Sequence, residues 1–319
     1  MSCVDSLSRK SLKIAVIGLG KMGLLHTSIL NTLPNVELTA LCDKSALIRK
    51  FSKRIFERVH VLDDFEKLSD LNLDAVYITT PIPSHFFVIK GIYSNRIARN
   101  VFVEKTLASS YDEAKELCKL AQSSESSNMV GYMKRFAVTF MKAKELLDQE
   151  TLGDTISFDA YAYSSDFLGS EKSSKTSASR GGALRDLGAH VIDLALWFFG
   201  DLHVDSAKLE PLGEGGSEDS AYFRVKESNG SEGRFNISWC MENYRLPEFG
   251  LLIKGSKGIM RVDDDKVELK LNNGKSSVWY RHNLDDNVDF LLGAPAYFRE
   301  DRCFIKSVFD GGNAEPSFY

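Results

Sequence analysis

The chain has 319 residues, of which 43% are hydrophobic and 26% charged, and its net charge is −4. This length predicts two domains, and this composition is typical of a soluble globular protein. The sequence lacks both the concentrated basic face of a nucleic-acid-binding protein and an apolar run near the roughly 18 residues that span a membrane.

The cysteines and the N-terminus indicate the compartment. Five cysteines are scattered along the chain and no two form a C-x-x-C pair, which argues against a disulfide framework or a metal site. The first twelve residues are polar and do not resemble a signal peptide. We therefore expect a cytoplasmic protein with no metal ion and no membrane or nucleic-acid partner.

The first part of the chain alternates between short apolar runs and helical patterns. A buried strand at 12–17 runs directly into Gly18, and a helix is predicted at 21–33. Further strands are predicted at 36–42, 59–62, 75–80, 101–104 and 129–132. Continuous apolar strands separated by helices are typical of a parallel sheet that is covered on both faces. We therefore predict a doubly wound, Rossmann-type dinucleotide-binding domain over residues 1–130.

The second part, residues 131–319, shows the alternation with period two that is typical of antiparallel strands. Such strands are predicted at 156–163, 220–225, 234–239, 250–254 and 267–271, and one strong helix at 183–199. This pattern predicts an α+β substrate-binding and oligomerisation domain with a large, mainly antiparallel open sheet. Few helices remain to cover both faces, so we expect apolar residues on a free face and a homodimer or homotetramer through this sheet.

The turn after the first strand carries a glycine pattern. It matches G-x-G-x-x-G and runs through Gly18, Leu19, Gly20, Lys21, Met22 and Gly23. Gly18 allows the tight turn, Gly20 lets a pyrophosphate approach the backbone, and Gly23 lets the helix pack close to the strand. The helix N-terminus supplies N–H groups for the phosphates. In this context the pattern predicts a dinucleotide site, and a tight turn without a ligand is the alternative.

Asp43 ends the second predicted strand, where an acid accepts hydrogen bonds from the adenosine ribose in this class of domain. A carboxylate there repels a 2′-phosphate, which favours NAD over NADP. The neighbouring Lys44 softens that preference, so NADP stays as the alternative cofactor. A second interpretation is that Asp43 only caps the next helix.

Two further segments follow predicted strands at the sheet edge that faces the cofactor. Thr80 and Pro81 follow the fourth strand, and His85 begins the next helix, which is the simpler interpretation of that histidine. Glu104 and Lys105 end the fifth strand. A lysine at that position is expected to project into the crevice near the nicotinamide.

The strong helix carries a polar stripe near its start. Asp186, His190 and Asp193 have the spacing i, i+4 and i+7, which places them on one face of an α-helix. Oxidation of an alcohol needs a base for the hydroxyl proton, which suits histidine, and a partner for the developing alkoxide, which suits lysine. His190 and Lys105 are therefore candidate catalytic residues. A core histidine satisfied by Asp186 is the alternative.

Together these segments resemble the glucose–fructose oxidoreductase / inositol dehydrogenase / rhizopine-catabolism (Gfo/Idh/MocA) family over nearly the whole chain. The resemblance rests on the glycine pattern, Thr80-Pro81 with His85, Glu104-Lys105, Gly131-Tyr132-Met133-Lys134-Arg135-Phe136, and Gly181-Gly182 through His190. It implies an enzyme that uses NAD or NADP on sugars, inositols or related polyols. It also implies catalytic roles for Lys105, Asp186 and His190, and cofactor contacts from the glycine pattern, Asp43, Thr80, Pro81, His85, Glu104 and Lys105.

Two alternatives to a dehydrogenase stay open: a non-catalytic NAD(H)-binding sensor and an NAD-dependent glycosidase of the same fold. The chain departs from the family pattern at Thr106, where the family has a proline. A serine-rich loop at 164–182 contains Lys172, Lys175 and Arg180, which suit a phosphate or nucleotide-sugar substrate. An exposed, solvated loop is the simpler interpretation of that segment.

Overall fold

The computed structural model describes residues 11–166, 181–211, 217–227, 230–288 and 295–319. By their internal contacts the residues form two compact units, one of Met1–Gly131 with Val288–Tyr319 and one of Tyr132–Asn287. Lys172, Lys175 and Arg180 of the serine-rich loop lie outside the described residues. Within the described ranges, no helix is long and apolar enough to cross a membrane.

Six parallel strands form the sheet of the first unit: β1 Leu12–Ile17, β2 Val36–Cys42, β3 His60–Leu62, β4 Ala75–Ile78, β5 Asn100–Glu104 and β6 Asn128–Gly131. Their order is β3-β2-β1-β4-β5-β6, which is the order of a doubly wound dinucleotide-binding domain. Every residue of β4 and β6 is buried, as a sheet covered on both faces requires. The predicted Rossmann-type sheet is confirmed.

Four α-helices connect these strands: α1 Lys21–Leu30, α2 Ala46–Ile55, α3 His85–Ser94 and α4 Tyr111–Ser123. Helix α1 ends three residues before the predicted end at 33, with Asn31 as its C-cap. Ser45 caps α2 by accepting a hydrogen bond from the Ile48 N–H at 3.4 Å. Short 3-10 turns at Phe65–Leu71 and Ile82–Ser84 complete the connections.

Eight strands form the sheet of the second unit: β7 Thr155–Tyr163, β8 Leu202–Glu210, β9 Ser220–Glu227, β10 Glu232–Ser238, β11 Glu248–Gly255, β12 Gly258–Asp263, β13 Lys266–Leu271 and β14 Ser276–Tyr280. Their order is β14-β13-β12-β11-β7-β10-β9-β8. Strands β7 and β10 pair in parallel, and the other neighbours pair antiparallel. The predicted large, mainly antiparallel sheet is confirmed.

Two α-helices of the second unit pack on one face of this sheet, α5 Val138–Asp148 and α6 Ala189–Phe199. Helix α6 is preceded by a π-helical turn at Leu184–Gly188. The helix predicted at 183–199 is therefore not one continuous α-helix. Asp186 lies in this π-helical turn, and His190 lies in the first turn of α6.

The other face of the eight-stranded sheet is polar and aromatic. The Arg234 guanidinium donates to both carboxylate oxygens of Asp159, at 2.5 and 2.9 Å. The Tyr161 hydroxyl donates to Glu248 at 2.8 Å, and the Tyr161 ring stacks on Tyr163 with centroids 5.0 Å apart. The expectation of an apolar free face was wrong, because alternate residues of the central strands carry charged and tyrosine side chains there.

A last helix, α7 Pro295–Asp310, packs within the first unit, where it contacts α1 and β6. Its apolar side buries Phe298, Phe304 and Ile305. After this helix the chain runs beside β6, and the Val130 N–H donates to the Pro316 carbonyl oxygen at 2.9 Å. These contacts group residues 288–319 with the first unit, whereas the sequence-based division placed them in the second.

Candidate cofactor and active site

The glycine loop between β1 and α1 adopts the backbone that its sequence requires. Gly18 has φ +91°, and a Cβ atom there would lie 2.8 Å from the Thr80 backbone nitrogen. A Cβ at Gly23 would collide with the carbonyl oxygen of Gly18, so this glycine allows the close packing of helix on turn. A Cβ at Gly20 would meet nothing within 4 Å, because this residue faces open space. No side chain caps the first turn of α1.

A cavity of about 980 Å³ lies beside this loop in the first unit, large enough for a dinucleotide-sized ligand. Several of the predicted cofactor-binding residues line this cavity, at the glycine loop and at the end of β2: Gly18, Gly20, Lys21, Met22 and Asp43. Thr80 and Pro81 also line it, together with Phe65 and Phe87. Leu19 and Gly23 do not line it, and the Leu19 side chain is buried.

Asp43 joins the glycine loop to the start of α2 while lining this cavity. One carboxylate oxygen accepts a hydrogen bond from the Leu19 N–H at 2.7 Å, and the other accepts one from the Ser45 N–H at 2.7 Å. The N-cap of α2 is Ser45, so the interpretation of Asp43 as the cap of that helix was wrong. Each carboxylate oxygen keeps a second lone pair that can accept from a ribose hydroxyl.

His85 is buried at the start of α3 and connects two loops of the first unit. Its Nδ1 lies 2.8 Å from the carbonyl oxygen of Thr106, and its Nε2 lies 2.7 Å from that of Thr80. Burial lowers the pKa of this histidine, and the two carbonyl oxygens only partly oppose the effect. The ring therefore lies between the cavity wall at Thr80 and the residue that follows Lys105, and in its neutral form it donates to one of the two carbonyl oxygens.

Glu104, at the end of β5, takes part in a buried network that the sequence did not predict. Its carboxylate accepts from the Lys105 N–H at 3.1 Å and lies 3.1 Å from His26 Nε2. His26 Nδ1 in turn lies 2.8 Å from Asp301 on α7. Burial lowers the pKa of His26, but the charges and hydrogen bonds of Asp301 and Glu104 outweigh it and hold this pKa well above its usual value.

The position of His26 in the sequence indicates a buried histidine, which the sequence analysis did not predict. It lies three residues after Gly23 on α1, in the interior of a helix that opens with the dinucleotide pattern. A histidine on the buried side of such a helix needs a polar partner. The partners come from β5 and from α7, and separations of 78 and 275 residues kept them out of reach of pattern analysis.

In the second unit, the candidate residues Asp186 and His190 lie in the π-helical turn and at the start of α6. The His190 ring is buried and meets two aromatic rings edge-on, Tyr132 at 6.3 Å and Phe249 at 5.4 Å between centroids. Lys105 belongs to the first unit. Each of these residues is positioned by its own unit.

Asp193, the third member of the predicted polar stripe, has a structural partner. Arg135 donates to both of its carboxylate oxygens, at 2.8 and 2.7 Å. Burial raises the pKa of Asp193, and the Arg135 guanidinium opposes this shift. Such a bidentate pair fixes α6 against the segment 132–136, so Asp193 anchors the helix that carries His190.

A charged pair beside His190 was also missed by the sequence analysis. Lys134 forms an ion pair with Asp264, and its ammonium lies 4.4 Å from the centroid of the Phe249 ring, on which His190 also packs. Asp264 also accepts from the Phe249 N–H at 3.3 Å. The run of three aspartates at 263–265 was interpreted as a turn. Its middle residue, Asp264, also holds the buried Lys134 near His190, the candidate base.

The fold and the cavity beside the glycine loop define the class of protein, one with a doubly wound dinucleotide-binding domain. Residues 12–132 match the model of the "Oxidoreductase family, NAD-binding Rossmann fold", and residues 140–261 match the GFO/IDH/MocA C-terminal domain. The two matches cover most of the chain, and the chain belongs to the GFO/IDH/MocA family.

Curated relatives agree with this assignment, and a solved structure shares the fold. An inositol 2-dehydrogenase of Rhizobium meliloti is 24% identical over 326 residues, covering 96% of this chain and 92% of its own length. An uncharacterized oxidoreductase of Schizosaccharomyces pombe is 28% identical over 290 residues, covering 86% of this chain and 77% of its own. A levoglucosan dehydrogenase in complex with NADH superposes with a TM-score of 0.86 at 19% identity, covering 97% of this chain and 92% of that one.

Proposed function

We propose that this protein is a dehydrogenase or reductase that acts on CH–OH groups and moves a hydride between a nicotinamide and a hydroxyl or carbonyl carbon of a sugar, inositol or related polyol. The observation that carries the proposal is the dinucleotide-sized cavity beside Gly18–Gly23, in a chain that also carries Lys105, Asp186 and His190. A sensor that only binds the cofactor has no need of these three residues together.

The residues of the cavity fit NAD(H). Gly20 faces open space where a pyrophosphate would lie, and the N–H groups at the start of α1 have no side-chain cap. Asp43 offers lone pairs to the adenosine ribose, and Phe65 and Phe87 supply apolar surface for the base. When bound, the nicotinamide supplies the carbon that gives or takes the hydride.

The chain's own residues supply the proton chemistry and the charge in this proposal. His190 takes the proton from the substrate hydroxyl in oxidation and returns it in reduction. Lys105 donates a hydrogen bond to the substrate oxygen and stabilises its alkoxide character. Asp186 orients the substrate and His190. The rings of Tyr132 and Phe249 limit the rotation of the His190 ring and so support a fixed direction of proton transfer.

A substrate screen with both cofactors tests this function. NADH absorbance is followed with a panel of polyols that includes inositols and levoglucosan, the substrates named for relatives and structural neighbours. Net NADH formation from a polyol, or consumption with the matching ketone, supports the dehydrogenase. Binding of NADH without turnover on any member supports a sensor, and hydrolysis of a glycoside without net change in NADH supports the glycosidase.

A further inference from the structure

The cavity wall next to Asp43 carries more negative charge than a single ribose-binding acid requires. Three more acidic residues line the cavity there, Asp63, Asp64 and Glu66. They follow β3 or lie in the 3-10 turn after it. The lysines among the lining residues are Lys44 and Lys21, and Lys67, which does not line the cavity, forms an ion pair with Asp63 at 2.6 Å.

The pairing of β2 with β3 holds these carboxylates side by side. Cys42 and Leu62 are partners in the parallel register, and the Asp43 N–H donates to the Leu62 carbonyl oxygen at 3.1 Å. The residues that follow the two strands, Asp43 and Asp63, therefore leave the sheet at the same edge. Asp64 is fixed in turn, because its carboxylate accepts from the Glu66 N–H at 3.0 Å as the N-cap of the 3-10 turn.

The Cys42 thiol lies near the carboxylates that follow both strands. Cys42 lines the cavity and is buried. Burial raises its pKa to about 12, and the charges of Asp64, Asp43 and Asp63 add to the rise while Arg49 opposes it. Carboxylates from two loops therefore act together on one point of the cavity wall.

We propose that Asp63 and Asp64 act together with Asp43 to exclude NADP(H), through a negative field across the adenosine end of the cavity. The inference rests on the proposed function, in which this cavity holds NAD(H). A 2′-phosphate carries nearly two negative charges where NAD(H) has a neutral hydroxyl, so the field discriminates between the two cofactors at this substituent. Asp43 acts by contact, whereas the exposed Asp63 and Asp64 act at a distance through solvent. The ion pair with Lys67 offsets part of the Asp63 charge, and Asp64 supplies the larger share of the field.

This difference in mechanism predicts a dependence on salt. The field of exposed carboxylates is screened over about 10 Å at 0.1 M ionic strength. A hydrogen bond between Asp43 and a ribose hydroxyl is insensitive to salt by comparison. The part of the discrimination that comes from Asp63 and Asp64 therefore shrinks as salt is added, and the part that comes from Asp43 persists.

Direct titration with NADH and NADPH, followed by cofactor fluorescence and calorimetry, tests the proposal. The variant D63N/D64N removes two charges with little change of shape, and asparagine keeps the N-cap at position 64. The control E57Q/D70N removes two charges from exposed acids outside the cavity wall. If the double variant is unstable in a thermal melt, the exposed single change D64N, which leaves the Asp63–Lys67 ion pair intact, replaces it.

We expect D63N/D64N to bind NADPH on the order of fivefold to tenfold more tightly at low salt, from the Coulomb energy of two charges near a phosphate. NADH affinity stays within about twofold, and the gain for NADPH falls at high salt. An unchanged NADPH affinity, an equal gain in the control, or a gain that ignores salt would overturn the inference. If the wild-type protein binds neither dinucleotide, the proposed function itself fails, which is a separate result.

Discussion

The Asp43 carboxylate supports the backbone around the cavity and also lines the cavity, and its effect on cofactor choice can be measured by substitution. Its carboxylate holds the glycine loop through the Leu19 N–H and the start of α2 through the Ser45 N–H, and it faces the cavity. We expect Asp43→Ser to weaken NADH binding roughly tenfold or more, because charged hydrogen bonds are lost. NADPH should lose less, since its 2′-phosphate is freed from repulsion, so the NADPH/NADH affinity ratio rises.

Titration of both cofactors measures this ratio, and Asp70→Ser, at an exposed acid outside the cavity wall, is the control. If Asp43→Ser leaves the ratio where it was, Asp43 only shapes the loop. The preference for NAD then has to come from elsewhere in the cavity.

The proposed proton-transfer role of His190 predicts a selective loss of turnover. Removing such a residue costs about 10²–10⁴ in rate. We expect His190→Ala to reduce turnover by such a factor with the substrate found in the screen, while NADH affinity changes less than about twofold. His203→Ala, at an exposed histidine of β8, is the matched control and should keep wild-type turnover.

Lys105 should behave differently from His190, because a charged hydrogen bond to the substrate oxygen acts in both the ground state and the transition state. We expect Lys105→Ala to lower kcat and also to raise KM for the substrate. Steady-state kinetics with saturating NAD measure both constants. Wild-type turnover in this variant and in His190→Ala would show the catalytic assignment to be wrong. Loss of NADH binding instead would place these residues in the support of the cofactor pocket.

At the scale of elements, a buried histidine ties three parts of the first unit together. His26 on α1 contacts Glu104 at the end of β5 and Asp301 on α7, and it has no solvent exposure. We expect His26→Gln to cost about 3–5 kcal/mol of stability, since removal of one partner leaves buried carboxylates unpaired. Urea unfolding measures this cost, and His60→Gln on β3, at an exposed histidine, is the control.

The same contact predicts the pH dependence of that cost. The native pKa of His26 is raised, so the folded state holds its proton more tightly than the unfolded chain. The stability that the imidazolium contributes is complete below the unfolded pKa near 6.5 and is lost as the pH rises through the raised native pKa. The difference in stability between wild type and His26→Gln should therefore shrink from pH 6 toward alkaline pH. A difference that stays constant would show that folding does not raise the pKa of His26, and a difference that grows with pH would show that folding lowers it.

For the whole molecule, the eight-stranded sheet is the surface that we propose for homodimer or homotetramer formation. Its outer face carries tyrosines and paired charges, and tyrosine and arginine are enriched in the centres of protein interfaces. Sedimentation at micromolar concentration should show a dimer or tetramer. Arg234→Glu places a second acid next to Asp159 and should shift the protein toward monomer, whereas Arg58→Glu in the first unit should not. A monomeric wild type contradicts the proposal.

The sequence by itself determined the features that depend on neighbouring residues. Gly18, Gly20 and Gly23 predict the loop because a strand, a positive φ and a helix start follow one another within a few residues. Apolar runs predict the buried parallel strands, and alternation predicts the strands of the second sheet. In each case the physical cause, steric freedom or the period of burial, acts along the chain and is visible in it.

Only the tertiary structure decided the contacts between distant segments. His26 meets Asp301 across 275 residues, Lys134 meets Asp264 across 130, and Arg135 meets Asp193 across 58. No local pattern encodes which buried charge will find which partner, because the choice depends on how helices and strands pack. The polar outer face of the sheet and the π turn before His190 were also decided by tertiary packing. Which residues are buried, and how strands align, is set only when the whole unit assembles.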